Sequence, residues 1–274
     1  MRRMIQGSHM VVPRLNADER AYILQNRDGR IVFVLPYEQD FSLIGTTDVR
    51  YRGDPAGIRA SDDEIDYLLD VVNAHFRTPL TRDEVVTTFS GVRPLCDDES
   101  TDPAAMTRDY TLDLDRQGAP LLSVFGGKIT TYRKLAETAL RTLAPLFPAM
   151  QPAWTAEARL PGGDIDSQAD FQAQLLGDYP FLGAERARRF ASSYGTLCLH
   201  FLQGCTSIEA LGQDFGGGLS QREVDYLVEH EWARDVDDIL WRRTKRYLRL
   251  DNTQRERLAD YLGQTQHSMQ AAIN

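Results

Sequence analysis

Leu121-Leu122-Ser123-Val124-Phe125-Gly126-Gly127-Lys128-Ile129-Thr130-Thr131-Tyr132-Arg133-Lys134 holds the junction on which the fold turns. A short apolar strand runs into two glycines. The spacing of Ile129, Tyr132, Ala136, Leu140 and Leu143 then predicts a helix that starts at once and ends near Pro145. Gly126 and Gly127 carry no Cβ, so the backbone there can turn tightly and come close to a ligand. A helix starting behind them points unpaired N–H groups forward. Thr130 and Thr131 add hydroxyls and Lys128 adds a cation. Such a corner suits an anionic or strongly hydrogen-accepting ligand; it is equally readable as a plain strand–turn–helix corner. It has neither the G-x-x-x-x-G-K-[ST] spacing of a Walker loop nor G-x-G-x-x-G.

Upstream of this corner the pattern is β-rich. Residues 21–25 and 30–37 read as strands joined at the Asp28-Gly29 turn, and 41–48 as a third. Ser61-Asp62-Asp63-Glu64 is a capping box. It opens a helix with Ile65, Leu68, Leu69, Val72 and Phe76 on one face. Residues 85–92 read as a strand, and 107–114 alternate as another. Near the start, Gly7-Ser8-His9-Met10 has the form of a vector scar, yet Val11-Val12-Pro13-Arg14 continues it as a strand.

Downstream, Pro145, Pro148, Pro152 and Pro161-Gly162-Gly163 read as a linker. Beyond it the pattern predicts short helices only, at 167–177, 183–194, 205–212, 220–231, 235–249 and 252–265. The expected fold class is α+β: a mixed, mostly antiparallel sheet with flanking helices over residues 1–150, then an all-α domain over 155–265.

The 274 residues are ample for a core, and 42% of them are hydrophobic. Net charge is −9; residues 1–150 hold 18 basic and 22 acidic side chains, and the remainder 13 and 18. Both parts are mildly acidic, which argues against a nucleic-acid partner. No apolar run reaches the roughly 18–20 residues of a membrane span. Cys96, Cys198 and Cys205 are odd in number and fit no C-x-x-C pattern, so reduced thiols in a cytosolic setting are expected, with no zinc site.

Arg93, in Ser90-Gly91-Val92-Arg93-Pro94-Leu95, ends an apolar strand. Arginine is rarely buried without a partner. It either pairs with Asp97, Asp98 or Glu99 or projects into a site and grips an oxyanion with its planar fork. Arg108 stands in a similar position, exposed by default. Arg93, Arg108 and Lys128 all lie near strand ends of what one sheet would bring together, and three converging cations would make a phosphate or carboxylate pocket. His9 lies on a candidate site strand, as a structural ring or as a general base. His75, His200, His230 and His267 lack metal-like pairing and are assigned no metal or other chemistry. Cys96 reads as a buried thiol, and Trp232 and Trp241 as core residues.

Several segments occur together in one order: Gly7-Ser8-His9, Gly45-Thr46-Thr47-Asp48, Ser90 to Leu95, Thr107-Arg108-Asp109-Tyr110, Phe125 to Lys134, Leu160-Pro161-Gly162-Gly163, and Leu240-Trp241-Arg242-Arg243-Thr244-Lys245. As a set they resemble the FAD-dependent, respiratory sn-glycerol-3-phosphate dehydrogenases of bacteria, over residues 1–265. The resemblance implies that the Gly7-Ser8-His9 segment is native. It implies that Arg93, Arg108 and Lys128 line the glycerol phosphate site, with His9 facing it as the catalytic candidate. It also implies that Gly126, Gly127, Lys128, Ile129, Thr130 and Thr131 meet the flavin. The implied reaction is oxidation of glycerol 3-phosphate to dihydroxyacetone phosphate, with electrons passed to membrane quinone. The implied location is cytoplasmic, against the inner face of the membrane, and a homodimer is compatible with it. A glycerol-3-phosphate oxidase using oxygen, or a non-catalytic interaction module, are the alternatives. The family's βαβ unit with G-x-G-x-x-G does not occur in this chain. The chain therefore looks like a C-terminal half, which by itself is expected to bind FAD weakly or not at all and to be inactive.

Overall fold

Eleven consecutive residues, Arg3–Pro13, form β1, the strand around which the first part of the chain is built. The computed structural model describes residues 3–95 and 110–273. Four further strands follow: β2 Tyr22–Gln25, β3 Ile31–Tyr37, β4 Phe41–Gly45 and β5 Val49–Tyr51. The helix α1, Asp62–His75, precedes β6, Thr87–Leu95. These strands make one antiparallel sheet in the order β2-β3-β4-β1-β5, with β6 on the other edge of β1.

The pairing of β1 is divided. Its residues His9–Pro13 pair with β4, and Met4–Gln6 pair with β5. Between them the ladder is interrupted, and Thr47 takes over. The Thr47 N–H donates to the Ser8 carbonyl (3.3 Å), and the Ser8 N–H donates to Thr47 Oγ1 (2.9 Å). A backbone donor and acceptor opposite a break in a sheet still need partners, and a threonine hydroxyl supplies one.

Alternation sorts the two faces of this sheet. Met10, Val12, Val32, Val34 and Ile44 are buried and pack with Leu68 and Val72 of α1. Ser61 caps α1, and Glu64 completes the capping box, as its spacing predicts. The opposite face carries Ile23, Ile31 and Phe33, all exposed, and of these Ile23 and Phe33 are in register with Gly45 and His9.

A separate hairpin, β7 Tyr110–Asp115 and β8 Leu121–Gly126, leads to the three-residue 3₁₀ turn Ile129–Thr131 and then α2, Tyr132–Leu143. This corrects two expectations. The helix does not start directly after Gly127, because the Thr131 N–H and hydroxyl both donate to the Lys128 carbonyl (3.0 and 2.8 Å) and tighten the first turn. Nor, among the described residues, do Arg93 and Lys128 lie at strands of one sheet, because β8 pairs with β7 whereas β6 pairs with β1.

Compact units comprise residues 1–156 and 157–274. The second is helical: α3 Gln168–Asp178, α4 Gly183–Ser193, α5 Cys198–Leu202, α6 Gln221–His230 and α7 Asn252–Ile273. Phe190 is fully buried in its core and meets Tyr194 and Phe201 edge-on, with centroids 6.1 and 5.0 Å apart. The structure revises the sequence reading here at four places. The segment read as a helix at 205–212 is a 3₁₀ turn, Ile208–Leu211. A short hairpin, β9 Asp214–Gly216 and β10 Leu219–Ser220, holds the triple glycine. The stretch 235–249 is a π-helical turn, Asp238–Arg243, and a 3₁₀ turn, Arg246–Arg249, divided at Lys245 in the left-handed region. Trp232 is 81% exposed and not core, because α6 ends at His230 and a left-handed Trp232 (φ 55°) sends Ala233 inward in its place.

Candidate functional site

On the sheet face opposite α1, cross-strand register sets His9 beside Phe89 and Gly7 beside Gly91. His9 and Phe89 stack with centroids 5.1 Å apart and rings 8° from parallel. Glycines make this packing fit. A Cβ on Gly45 would lie 2.3 Å from His9 Cδ2, so the imidazole rests on bare backbone. A Cβ on Gly7 would lie 2.6 Å from Thr46 Oγ1 and 2.8 Å from Arg93 Nη2, so the guanidinium crosses β1 at the one residue type that admits it. His9, Phe89 and Arg93 thus share one face of the sheet with Gly7 and Gly91, and the Arg93 guanidinium lies over Gly7.

Arg93 forms an ion pair with Asp48, and its Nη2 donates a long hydrogen bond to Thr46 Oγ1 (3.4 Å). Asp97, Asp98 and Glu99, weighed as its partners, lie outside the described residues. Arg93 and Asp48 both keep about a third of their side-chain surface open. A guanidinium held by one carboxylate retains donors for a second anion.

Burial first, and the positive charge of Arg93 second, push the His9 pKa below its ordinary 6.5. A neutral imidazole at neutral pH follows, which is the form that accepts a proton.

The loop bearing Thr46 and Asp48 is fastened from beneath by Glu64, a buried carboxylate on α1. Its Oε1 accepts from Thr47 Oγ1 (2.5 Å) and Ser8 Oγ (2.8 Å). Its Oε2 accepts from Gln6 Nε2 (2.8 Å), the Ser61 N–H (3.0 Å) and Ser61 Oγ (3.1 Å). Ser90 on β6 joins through Ser8 Oγ at 2.8 Å. Sequence reasoning read Glu64 only as a helix cap. The missed signal was two polar residues, Gln6 and Ser8, at alternate positions of β1; both are buried and both reach Glu64.

Lys128 is exposed and extended at the mouth of the β8–α2 corner. Gly126 and Gly127 both have positive φ, 75° and 96°, as their position between strand and turn requires. Ile129 is 89% exposed, and Thr130 is exposed beside it. Arg108 and Cys96 lie outside the described residues; among the described residues Arg93 and Lys128 stand on separate sheets. Among the described residues no group of His, Cys, Asp and Glu is arranged to hold a metal ion, and no helix is long and apolar enough to cross a membrane.

Residues 1–133 match the family model described as FAD dependent oxidoreductase, and residues 153–270 match the C-terminal domain of alpha-glycerophosphate oxidase. The aerobic glycerol-3-phosphate dehydrogenase of Escherichia coli (strain K12) is 53% identical over 263 residues, 95% of this chain and 52% of that protein. The glycerol-3-phosphate dehydrogenase of Pseudomonas aeruginosa is 54% identical over 268 residues, 97% of this chain and 52% of that one. The crystal structure of the glycerol-3-phosphate dehydrogenase from Bacillus halodurans complexed with FAD superposes with a TM-score of 0.73 at 29% identity, over 89% of this chain and 48% of that one. The chain thus spans about half the length of the curated relatives it matches. With both family models in sequence and more than half of its residues shared with the Escherichia coli and Pseudomonas aeruginosa dehydrogenases, the chain fits a portion of a bacterial FAD-dependent glycerol-3-phosphate dehydrogenase.

Proposed function

We propose that this chain supplies the substrate-facing sheet and the helical domain of an enzyme that oxidises sn-glycerol 3-phosphate to dihydroxyacetone phosphate with FAD. The observation that carries the reading is that bare backbone at Gly45 and Gly7 seats a neutral His9 and a partly accessible Arg93 on one face of the sheet. The names of its relatives point to the same substrate.

In this reading Arg93, with Lys128 and Arg108, binds the phosphate through charge-assisted hydrogen bonds. Asp48 and the Thr46 hydroxyl hold the guanidinium in place, and Phe89 fixes the imidazole plane. A ring nitrogen of His9 accepts the proton of the C2 hydroxyl as its oxygen becomes a carbonyl. The residues of the β8–α2 corner fit a flavin. Gly126 and Gly127 leave bare backbone at its approach, and exposed Ile129 and Thr130 offer a flat apolar and hydroxyl edge. When bound, FAD supplies the acceptor for the hydride from C2. Membrane quinone as the final oxidant, a peripheral position at the membrane and a homodimer belong to the same proposal.

Mutation of Arg93 and His9 in the complete flavoprotein tests it. Arg93→Gln should raise KM for glycerol 3-phosphate by about tenfold or more, the value of a charge-assisted contact, with flavin content unchanged. His9→Gln should lower kcat instead. In the unmodified enzyme kcat/KM should fall as pH drops through a value below 6.5, because His9 is shifted down. Unchanged KM in the arginine variant together with unchanged kcat in the histidine variant would assign both residues to the scaffold. Faster turnover with oxygen than with a quinone analogue would favour the oxidase chemistry named in the second family model.

A further inference from the structure

The consecutive residues Gly45-Thr46-Thr47-Asp48 carry the supports of both groups on which the proposed chemistry rests. Gly45 leaves bare backbone for the His9 ring. Thr46 Oγ1 accepts from Arg93 Nη2 (3.4 Å), and the Asp48 carboxylate pairs with Arg93. Thr47 is turned instead toward α1. It is buried; its hydroxyl accepts from the Ser8 N–H (2.9 Å) and donates to Glu64 Oε1 (2.5 Å). The seat of the imidazole and two acceptors for the guanidinium are therefore parts of one short segment. That segment is anchored through the residue that separates the two acceptors.

The anchor is stiff for a physical reason. The Thr47 hydroxyl gives its proton to a buried carboxylate, and its lone pair takes a backbone donor that the interrupted ladder leaves open. Glu64 is itself immobilised, since it sits in the first turn of α1 and also accepts from Gln6, Ser8 and Ser61. Gln6 and Ser8 flank Gly7, over which the Arg93 guanidinium lies, and Ser8 directly precedes His9. Side chains alternate between the faces of a strand, so the network grips β1 from below at the residues beside those displayed above. Stability alone does not call for a carboxylate here, because replacing buried polar partners by apolar groups of the same shape can be nearly neutral. What a satisfied hydrogen-bond network adds is a unique, rigid geometry.

We propose that Thr47, held by Glu64, is a positioning residue for the reaction: it fixes the distance and orientation between the phosphate-binding Arg93 and the proton-accepting His9. The proposal rests on the roles assigned to those two residues under the proposed function. A substrate held by its phosphate presents its C2 hydroxyl to the imidazole only while both supports keep their relative place. A misplacement of about 1 Å can cost on the order of 100-fold in rate. Thr47 and Glu64 are buried and act through Arg93 and His9, not on the substrate.

The test is steady-state kinetics of the complete flavoprotein carrying Thr47→Val, Arg93→Gln or both. Thr47→Val keeps the shape of the side chain and removes its hydroxyl. It should lower kcat/KM for glycerol 3-phosphate by about tenfold or more at the parent flavin content, and Thr47→Ser, which keeps the hydroxyl, should restore most of that loss. In the Arg93→Gln background the KM part of the Thr47→Val effect should vanish, because the group that Thr47 positions is gone; a merely structural residue would add the same factor in both backgrounds. Glu64→Gln is the second variant and carries the same expectations where Thr47→Val does not melt cooperatively. Unchanged kcat/KM in Thr47→Val, a loss that merely follows flavin content, or the same factor with and without Arg93 would overturn the positioning role and leave the role of Arg93 intact. Unchanged KM in Arg93→Gln alone would overturn both.

Discussion

Glu64 illustrates how one buried carboxylate can order a surface that it does not touch. Burial works against its ionisation. Hydrogen bonds from the Ser61 backbone and from the Thr47, Ser8 and Ser61 hydroxyls outweigh that and hold its pKa below the ordinary 4.5. A carboxylate depressed by folding stabilises the native state above its unfolded pKa, and the contribution is lost as pH falls through the lower folded value. Glu64→Gln should therefore cost about 2–3 kcal/mol at neutral pH, because an amide cannot accept from donors on both of its ends. The gap between parent and variant urea midpoints seen at neutral pH should close as pH falls from 4.5 through the lower folded value, and a gap that stays constant would count against this role. Loss of the Thr47 anchor should also loosen Asp48, and with it Arg93. The glycines above act by subtraction: Gly7 and Gly45 admit a guanidinium and an imidazole where any side chain would collide.

At the level of elements, the ion pair between α4 and α6 does for the helical unit what Glu64 does for the sheet. Arg189 and Glu223 are both buried, and Arg189 also reaches the β9–β10 turn. Desolvation opposes the charge on Arg189, yet Glu223 more than compensates and keeps it firmly protonated. Removing one partner of such a pair leaves the other buried and uncompensated, so Arg189→Met should cost about 3–5 kcal/mol in a urea melt. A cost below about 1 kcal/mol, the value of an exposed pair, would mean that water reaches Glu223 in the variant. The π-helical turn Asp238–Arg243 and the left-handed Lys245 divide what the charge pattern presents as one helix. Acidic residues at its start and basic ones at its end suit a helix dipole, but they do not report a backbone break.

For the molecule as a whole, two predictions concern what each part does alone. The helical unit has its own core, with Leu175, Phe190, Leu202, Phe215, Leu227 and Ile239 almost wholly buried. Residues 157–274 expressed alone should give a helical circular-dichroism spectrum and a single cooperative melt, whereas a non-cooperative product would show that the core needs the preceding residues. The 274-residue chain should bind FAD weakly, because it carries no glycine-rich βαβ turn for the pyrophosphate. Stoichiometric binding at micromolar concentration in a fluorescence titration would contradict that.

Periodicity in the sequence by itself determined the β-rich start, α1 with its capping box, and the helical character of the second half, since these depend on neighbours within a few residues. It also marked His9, Arg93 and Lys128 as residues needing an explanation. Tertiary structure alone decided that Asp48 would be the partner of Arg93, that Glu64 would be a hub as well as a cap, and that Lys128 would stand on a separate hairpin. It alone turned Trp232 outward and gathered four arginines at Gly217-Gly218. The physical reason is the same in each case. A strand or helix is chosen by local periodicity, but the partner of a charge or hydroxyl is chosen by cross-strand register and loop path, which join residues tens of positions apart.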